Sequence, residues 1–337
     1  MSEKILIIAP SWIGDCVMAQ PLLTLLKQRF PDAHMTVFAP KWTLAVMKRM
    51  KELDDFIENP FGHGVLNLRQ RYQMGKQLRS YQFTRAFVLP GSAKSALIPF
   101  FAKIPIRTGF VGESRYLLIN DIHRLDKQQW VRMVDRFALL ANPQNHTSEQ
   151  TPNPVLYADS KNQQQAIAKL SLSAEKPILA LCSGAEYGAA KRWSVRHFAQ
   201  VARHYHQQGY QIWLFGSHKD AQDADLIVQQ AGVGVNLCGK TAMDEAIDLL
   251  ALAKMVVCND SGLMHVAAAL QRPLVAVYGS SSPIHTPPLS EKAKIISLNL
   301  SCSPCFKREC PLGHTNCLEQ LKPEMVISAI DEMLQKH

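Results

Sequence analysis

The sequence has no apolar run long enough to cross a membrane. Its longest candidate, residues 96–106, is interrupted by Lys103 and two prolines, whereas a transmembrane helix needs roughly 20 apolar residues. The apolar run at residues 5–10 is short for the core of a signal peptide, and no small-residue cleavage site follows it. These absences exclude a transmembrane protein and predict a cytoplasmic one.

Two phosphate-binding signatures are also missing. The turn from Ala9 to Asp15 contains one glycine, where a dinucleotide fingerprint has three. The loop from Ser183 to Trp193 lacks the spacing of a Walker A motif. No Asp-x-Asp pair accompanies these loops, which argues against a metal-dependent transferase. A dehydrogenase and a P-loop nucleotide hydrolase are therefore disfavoured, and no metal ligands are predicted at the site.

Acidic residues are scarce in the first half of the chain. Of the net charge of +9, residues 1–150 carry 20 basic and 12 acidic side chains, a net +8, and the remainder carries 17 and 16, a net +1. Between Arg69 and Arg132 only three acidic residues oppose the basic ones. This half is expected to meet an anionic partner, although a solvated basic surface is an equally good interpretation.

The order of apolar runs predicts an α/β protein with two doubly wound, Rossmann-like domains. A chain of 337 residues exceeds one core of roughly 100–200, and a strand–helix rhythm restarts after a polar linker, Asn142–Pro154. We therefore expect domains at 1–150 and 151–337, with ligands at the carboxyl ends of the strands and in a central cleft. In the second domain the strands are predicted at Ile178–Cys182, Gln211–Phe215, Met255–Cys258 and Leu274–Tyr278.

Three turns that follow predicted strands carry polar side chains suited to chemistry. Asp15 ends the first turn, where it would act either as a helix N-cap or as a general base. Ser183 and Gly184 are small, so they would let backbone N–H groups approach a phosphate whose negative charge Lys191 would balance. The same loop would also serve as a helix cap. The third turn, residues 259–265, begins a helix with a glycine, which is typical of an anion site.

Together, these turns resemble the heptosyltransferases of glycosyltransferase family 9. The resemblance rests on Ser-Trp-Ile-Gly-Asp at residues 11–15, Lys-Arg-Trp at 191–193 and Asn-Asp-Ser-Gly-Leu-Met-His at 259–265, in this order and separation. Residues 109–113 and 302–306 are also similar to the family, so the resemblance spans essentially the whole chain. It implies a GT-B fold, with an acceptor-binding domain at 1–150 and a donor-binding domain at 151–337 that ends in a helix at Glu324–Gln335.

The resemblance also implies an activity. This is the inverting, metal-independent transfer of L-glycero-D-manno-heptose from ADP-heptose to the first heptose of the lipopolysaccharide inner core, with no cofactor. Asp15 corresponds to the general base and Lys191 to the cation that stabilises the leaving diphosphate. Ser183 and Gly184 are expected to contact phosphate, and the donor-binding turn comprises Asp260, Ser261, Gly262, Leu263 and His265.

Among these residues, Asp260 would be repelled by a diphosphate, so we assign it to positioning the loop. His265 is either a packed histidine or a ligand contact. The expected partners are ADP-heptose and the inner-core acceptor, whose anionic groups would meet Lys94, Arg107 and Arg115. Peripheral contact with the anionic inner face of the inner membrane is expected, and nucleic acid is not.

Several alternatives stay open at this stage. Heptosyltransferase I or III, or a sugar epimerase of the same fold, would share most of the signals. A nucleic-acid-binding protein would use the basic half, but the interleaved arginines and aromatics that it needs are missing. Cys302, Cys305, Cys310 and Cys317 have the density of a zinc or iron–sulfur site, although only the first pair has the spacing of a zinc knuckle. A loop of free thiols is the other interpretation.

Overall fold

The computed structural model describes residues 2–62, 64–141 and 146–335. The chain divides into two compact units, Met1–Pro154 and Val155–His337. The division falls at the end of the polar segment predicted as a linker, of which residues 142–145 lie outside the described residues.

The first unit is a six-stranded parallel sheet in the order β3-β2-β1-β4-β5-β6. Its strands are β1 (Lys4–Ile8), β2 (His34–Ala39), β3 (Asp55–Glu58), β4 (Arg85–Val88), β5 (Ile106–Phe110) and β6 (Asp121–His123). Its helices are α1 (Ile13–Arg29), α2 (Lys41–Met47), α3 (Leu68–Leu78), α4 (Ala93–Phe101) and α5 (Met133–Ala138).

The second unit repeats this topology, with the strand order β12-β11-β10-β7-β8-β9. Its strands are β7 (Ile178–Cys182), β8 (Gln211–Leu214), β9 (Val235–Asn236), β10 (Met255–Asn259), β11 (Leu274–Val277) and β12 (Ala293–Ile296). Its helices are α6 (Ser160–Lys169), α7 (Val195–Gln207), α8 (Ala221–Ala231), α9 (Met243–Leu250), α10 (Gly262–Ala269), α11 (Asn316–Glu319) and α12 (Pro323–Leu334).

The central strands explain why these sequences fold in this way. Residues 5–8 of β1 and all of β7 and β10 are buried, because helices cover both faces of each sheet. Such strands are continuous apolar runs without alternation, and this is the pattern from which the sequence predicted them. The predicted doubly wound α/β architecture is confirmed in both units.

The last helix, α12, belongs to the second unit, where it packs against α7, β11 and β12. Its apolar face, which includes Val326, Ala329 and Ile330, joins the core beneath that sheet. Among the described helices, none combines the length and the apolar character that a bilayer-spanning segment requires.

Candidate functional site

In each unit the strand order reverses at one point, and the predicted site residues lie in the loops at that point. The reversal separates β1 from β4 in the first sheet and β7 from β10 in the second. At such a point the helices leave toward opposite faces, so the loops at the carboxyl ends open a crevice for a ligand. Asp15 follows β1, Lys191 lies in the loop after β7, and Asp260 follows β10.

Asp15 lies in the first turn of α1 but does not cap it. The N-cap is Trp12, and no side-chain hydrogen bond caps the helix. The interpretation of Asp15 as an N-cap is therefore wrong, because the helix begins two residues before it. Burial raises the pKa of the Asp15 carboxyl to about 6, since desolvation disfavours the charged form. A carboxylate of this basicity accepts a proton more readily than an ordinary aspartate does.

Lys191 and Asp260 form an ion pair at the reversal point of the second sheet. The distance from Lys191 Nζ to Asp260 Oδ2 is 2.5 Å, and the two side chains are 17% and 5% exposed. The Asp260 carboxylate thus holds the lysine ammonium in place at the carboxyl edge of β10. The ammonium is also 5.1 Å from the centre of the Tyr187 ring, which restricts it further.

Asn259, to which the sequence analysis gave no role of its own, joins the loops after β7 and β10. Its side chain is fully buried. The amide oxygen accepts from the Trp193 backbone N–H at 3.0 Å, and Nδ2 donates to the Ser183 carbonyl at 2.6 Å. An asparagine at the end of a buried strand, directly before Asp260, was the available signal, because a buried amide must find partners.

His265 is packed beside the ion pair and is neutral. It is 5% exposed, and burial lowers the pKa of its imidazole to about 4, while Asp260 and Lys191 act in opposite directions. The low pKa disfavours a cationic imidazole, and both roles considered for this residue, packing and contact with a ligand, stay predictions for the neutral ring. A neutral imidazole can still donate or accept one hydrogen bond.

Gly184 is a place of close packing. A Cβ atom added there would lie 2.5 Å from the carboxylate of Asp220. That carboxylate accepts from the Ser217 backbone N–H at 2.9 Å and from Arg192 Nη2 at 3.0 Å. The glycine thereby brings the loop after β7 against a second, half-buried ion pair, which was not predicted from the sequence.

Three serine hydroxyls that follow β7 and β11 are buried without a hydrogen-bond partner in the described parts of the chain. They are the Oγ atoms of Ser183, Ser280 and Ser281. Buried polar groups are almost always satisfied, so these hydroxyls are available to a water molecule or a ligand. Ser183 was predicted from the sequence, whereas the two serines that follow β11 were not.

The N-terminus of α10 offers unsatisfied backbone donors. Ser261 is its N-cap in an extended conformation, and its side chain makes no capping hydrogen bond. The Ser261 side chain therefore does not accept from the first amides of the helix, those of Gly262 and Leu263, and these N–H groups can donate to another acceptor. Together with the helix dipole they favour an anion.

The basic residues proposed for the acceptor divide into two kinds. Arg107 donates to the carbonyls of Ile104 and Leu118 at 2.6 and 2.8 Å. Arg115, which is 3% exposed, donates to the carbonyls of Pro90 and Phe110 at 2.5 and 2.8 Å. Both guanidinium groups therefore hold loops together. Arg115 is too buried to contact an acceptor, so its assignment is wrong, whereas Arg107 is half-buried and its assignment stays a prediction.

Lys94, the third of these residues, differs from the two arginines. It lies in the first turn of α4, directly after β4. Among the described residues its ammonium has no ion-pair partner, so it is available to an anion.

Comparisons with known proteins agree on one family. Residues 71–316 match the family model of glycosyltransferase family 9 (heptosyltransferase). Lipopolysaccharide heptosyltransferase 2 of Escherichia coli K12 is 43% identical over 342 residues, covering 98% of both chains. Lipooligosaccharide heptosyltransferase 2 of Haemophilus influenzae is 44% identical and covers 99% of this chain and 100% of its own. The solved structure of E. coli ADP-heptose lps heptosyltransferase II matches with a TM-score of 0.89 at 40% identity, covering 99% of each chain.

Proposed function

The chain belongs to glycosyltransferase family 9, and from this membership we propose that it transfers L-glycero-D-manno-heptose from ADP-heptose to the first heptose of the lipopolysaccharide inner core. Relatives that share 43% and 44% of its residues over nearly the whole length are named heptosyltransferase 2. The single observation that carries the donor assignment is the Lys191–Asp260 pair beside the uncapped N-terminus of α10.

The donor diphosphate would bind in the second unit. Lys191 and the amides of Gly262 and Leu263 supply positive charge to it, and the Ser183 hydroxyl is a free donor nearby. Asp260 would be repelled by a diphosphate, so it acts by holding Lys191. His265 packs beside this pair as a neutral ring. A cationic imidazole there would compete with Lys191 for the Asp260 carboxylate.

The chemistry is a single displacement with inversion. Asp15 takes the proton from the acceptor hydroxyl, whose oxygen forms a bond to the anomeric carbon of the heptose. The bond from that carbon to the diphosphate oxygen breaks, and its electron pair leaves with ADP. Fixed donors that meet this developing charge do the work for which other transferases use a metal ion. The proposal therefore requires no metal at the reacting centre.

The acceptor would bind to the first unit, near Asp15 and Lys94. The inner core is anionic, and Lys94 stands at the reversal point between β1 and β4. Several large apolar side chains of this unit are exposed, among them Leu66, Leu68 and Leu117, the last at 86%. Apolar and basic side chains on one unit support peripheral contact with an anionic lipid surface on the cytoplasmic side of the membrane.

The test is ADP release from ADP-heptose in the presence of defined core acceptors. An acceptor that ends in one heptose should support release, whereas an acceptor without heptose should not. Release that requires the heptose-free acceptor would move the assignment to heptosyltransferase I. The anomeric configuration of the product, read by NMR, tests inversion. Unchanged rates in excess EDTA would support a reacting centre without a divalent cation.

A further inference from the structure

Four cysteines near the end of the second unit surround one small cavity. Cys302, Cys305, Cys310 and Cys317 all line it, together with His314, and its volume is about 20 Å³. All four are unpaired thiols. A space of this size accommodates one water molecule or one metal ion.

A tight turn follows Cys310. The Cys310 carbonyl accepts from the Gly313 N–H at 3.1 Å, and Gly313 and Thr315 have left-handed conformations, with φ of 71° and 48°. The chain therefore folds back between Cys310 and Cys317, and both thiols line the same cavity.

The cysteine segment, residues 301–317, is built onto the candidate donor site. The Phe306 N–H donates to the Ser280 carbonyl at 2.7 Å, and the Ala190 N–H donates to the Arg308 carbonyl at 3.0 Å. The Tyr187 hydroxyl donates to the Phe306 carbonyl at 3.0 Å. The segment therefore contacts and supports the loop that carries Lys191.

The cysteine segment has little apolar core of its own. Phe306 and Leu312 are 55% and 60% exposed, and residues 301–315 contain no helix or strand. A segment that buries so little apolar surface gains little from folding. Such segments are commonly held by a metal ion or a disulfide.

We propose that Cys302, Cys305, Cys310 and Cys317 bind one zinc ion, and that this ion fixes the segment against the Lys191 loop. Four thiolates in tetrahedral arrangement are a donor set that zinc prefers in structural sites. His314 is set aside as a ligand because its Nδ1 accepts from the Asn316 N–H at 3.0 Å, at the start of α11. The second part of the proposal, the effect on Lys191, rests on the proposed function.

Metal binding requires a small movement of the thiols. In the described residues, no three side chains among His, Cys, Asp and Glu already converge on a metal position. Each cysteine side chain turns about a single Cα–Cβ bond, and rotation about this bond is the movement that we expect of the sulfurs that line the cavity. We expect the ion to draw them together, as metal binding and folding are coupled in small thiolate sites.

Metal content is the direct test, and it does not depend on activity. Full-length untagged chain, purified under reducing conditions, should carry about one zinc per chain by elemental analysis. A mercurial thiol reagent should release it. Cys305→Ser should lose the ion, whereas Cys238→Ala, which removes a buried cysteine elsewhere in the unit, should keep it. Wild-type chain without bound metal that also fails to take up zinc would overturn the proposal, as would equal zinc in Cys305→Ser.

Cobalt gives a second readout if Cys305→Ser does not fold. Metal-free wild-type chain, titrated with Co²⁺ under reducing conditions, should develop the visible bands and sulfur-to-cobalt absorption of a tetrahedral thiolate site. Weak bands of an octahedral, oxygen-ligated ion would contradict it. Four cysteines found as two disulfides in chain purified under reducing conditions would also refute the site.

The link to the donor site is measured separately, by ADP binding. Chain with zinc should bind ADP several-fold more tightly than the same chain without it, and adding zinc back should restore the affinity. Zinc that binds stoichiometrically but leaves ADP affinity unchanged would refute the supporting role. Failure of both forms to bind ADP would count against the proposed function and not against the metal site.

Discussion

Asp15→Asn should make the protein more stable at neutral pH while removing most of its activity. Burial raises the pKa of the carboxyl from 3.8 to about 6, and each pKa unit corresponds to about 1.4 kcal/mol. The charged form therefore costs the folded state at most about 3 kcal/mol. The neutral amide also loses the attraction between the carboxylate and the positive end of α1, which is worth about 0.3–1 kcal/mol. We expect a net gain of about 2 kcal/mol at pH 8.

The pH dependence fixes the sign of this effect. Between pH 3.8 and about 6 the folded state holds a proton that the unfolded state has lost. The stability of the wild type therefore falls as pH rises through this window, and the penalty is complete above the folded-state pKa. Asp15→Asn has no such group, so its advantage should be small near pH 4 and largest above pH 7. Urea unfolding of both proteins at several pH values measures the difference.

Activity should move in the opposite direction. Loss of a general base typically costs about 10²–10⁴-fold in rate, so ADP release by Asp15→Asn should fall by that order. The kcat/KM of the wild type should decrease as pH falls below about 6, because Asp15 becomes protonated. Asp32→Asn, at an exposed carboxylate of the same unit, is the control and should change neither quantity. An Asp15→Asn protein with normal turnover, or with a stability gain independent of pH, would refute the reasoning.

Three further substitutions test the second unit. Lys191→Met should abolish turnover and lower the free energy of unfolding by about 3 kcal/mol, because Asp260 is left buried and unpaired. The double variant with Asp260→Asn should regain the melting temperature but not ADP release. Restored ADP release would contradict the role assigned to Lys191. Asn259→Ala should lower the free energy of unfolding by about 2–4 kcal/mol, because two buried hydrogen bonds are lost. It should also raise the KM for ADP-heptose more than it lowers kcat. A change in melting temperature alone would show that Asn259 is purely structural. Gly188→Ala would place a Cβ 2.3 Å from the Arg308 carbonyl and should weaken ADP binding, whereas Gly91→Ala, whose Cβ meets nothing within 4 Å, should bind ADP normally.

The doubly wound fold of both units was predictable because its signals are local. A strand covered on both faces is a continuous apolar run, and each such run here is followed by a helix. The strands β7 and β10 were predicted almost to their final residue from this pattern. The turns after them were also predictable as candidate sites, since ligands bind at the carboxyl ends of parallel strands.

The role of each basic residue was not predictable, because it depends on what lies opposite. Sequence alone gives Lys94, Arg107 and Arg115 the same charge in the same region. In the structure both arginines donate to backbone carbonyls and Arg115 is buried, whereas Lys94 has no ion-pair partner among the described residues. Net charge is a sum over all charged side chains, and it does not distinguish a cation that faces solvent from one that is bonded to backbone carbonyls.

The sequence by itself determined which loops are the candidates for the chemistry, through their order, their residue types and their positions after buried strands. The tertiary structure decided how those loops are held: Asp260 pairs with Lys191 and Asn259 joins the loops after β7 and β10. It also decided the environment of Asp15, whose burial raises the pKa to about 6. The reason is that hydrogen bonds and desolvation depend on neighbours in space, and those neighbours come from segments far apart in the chain.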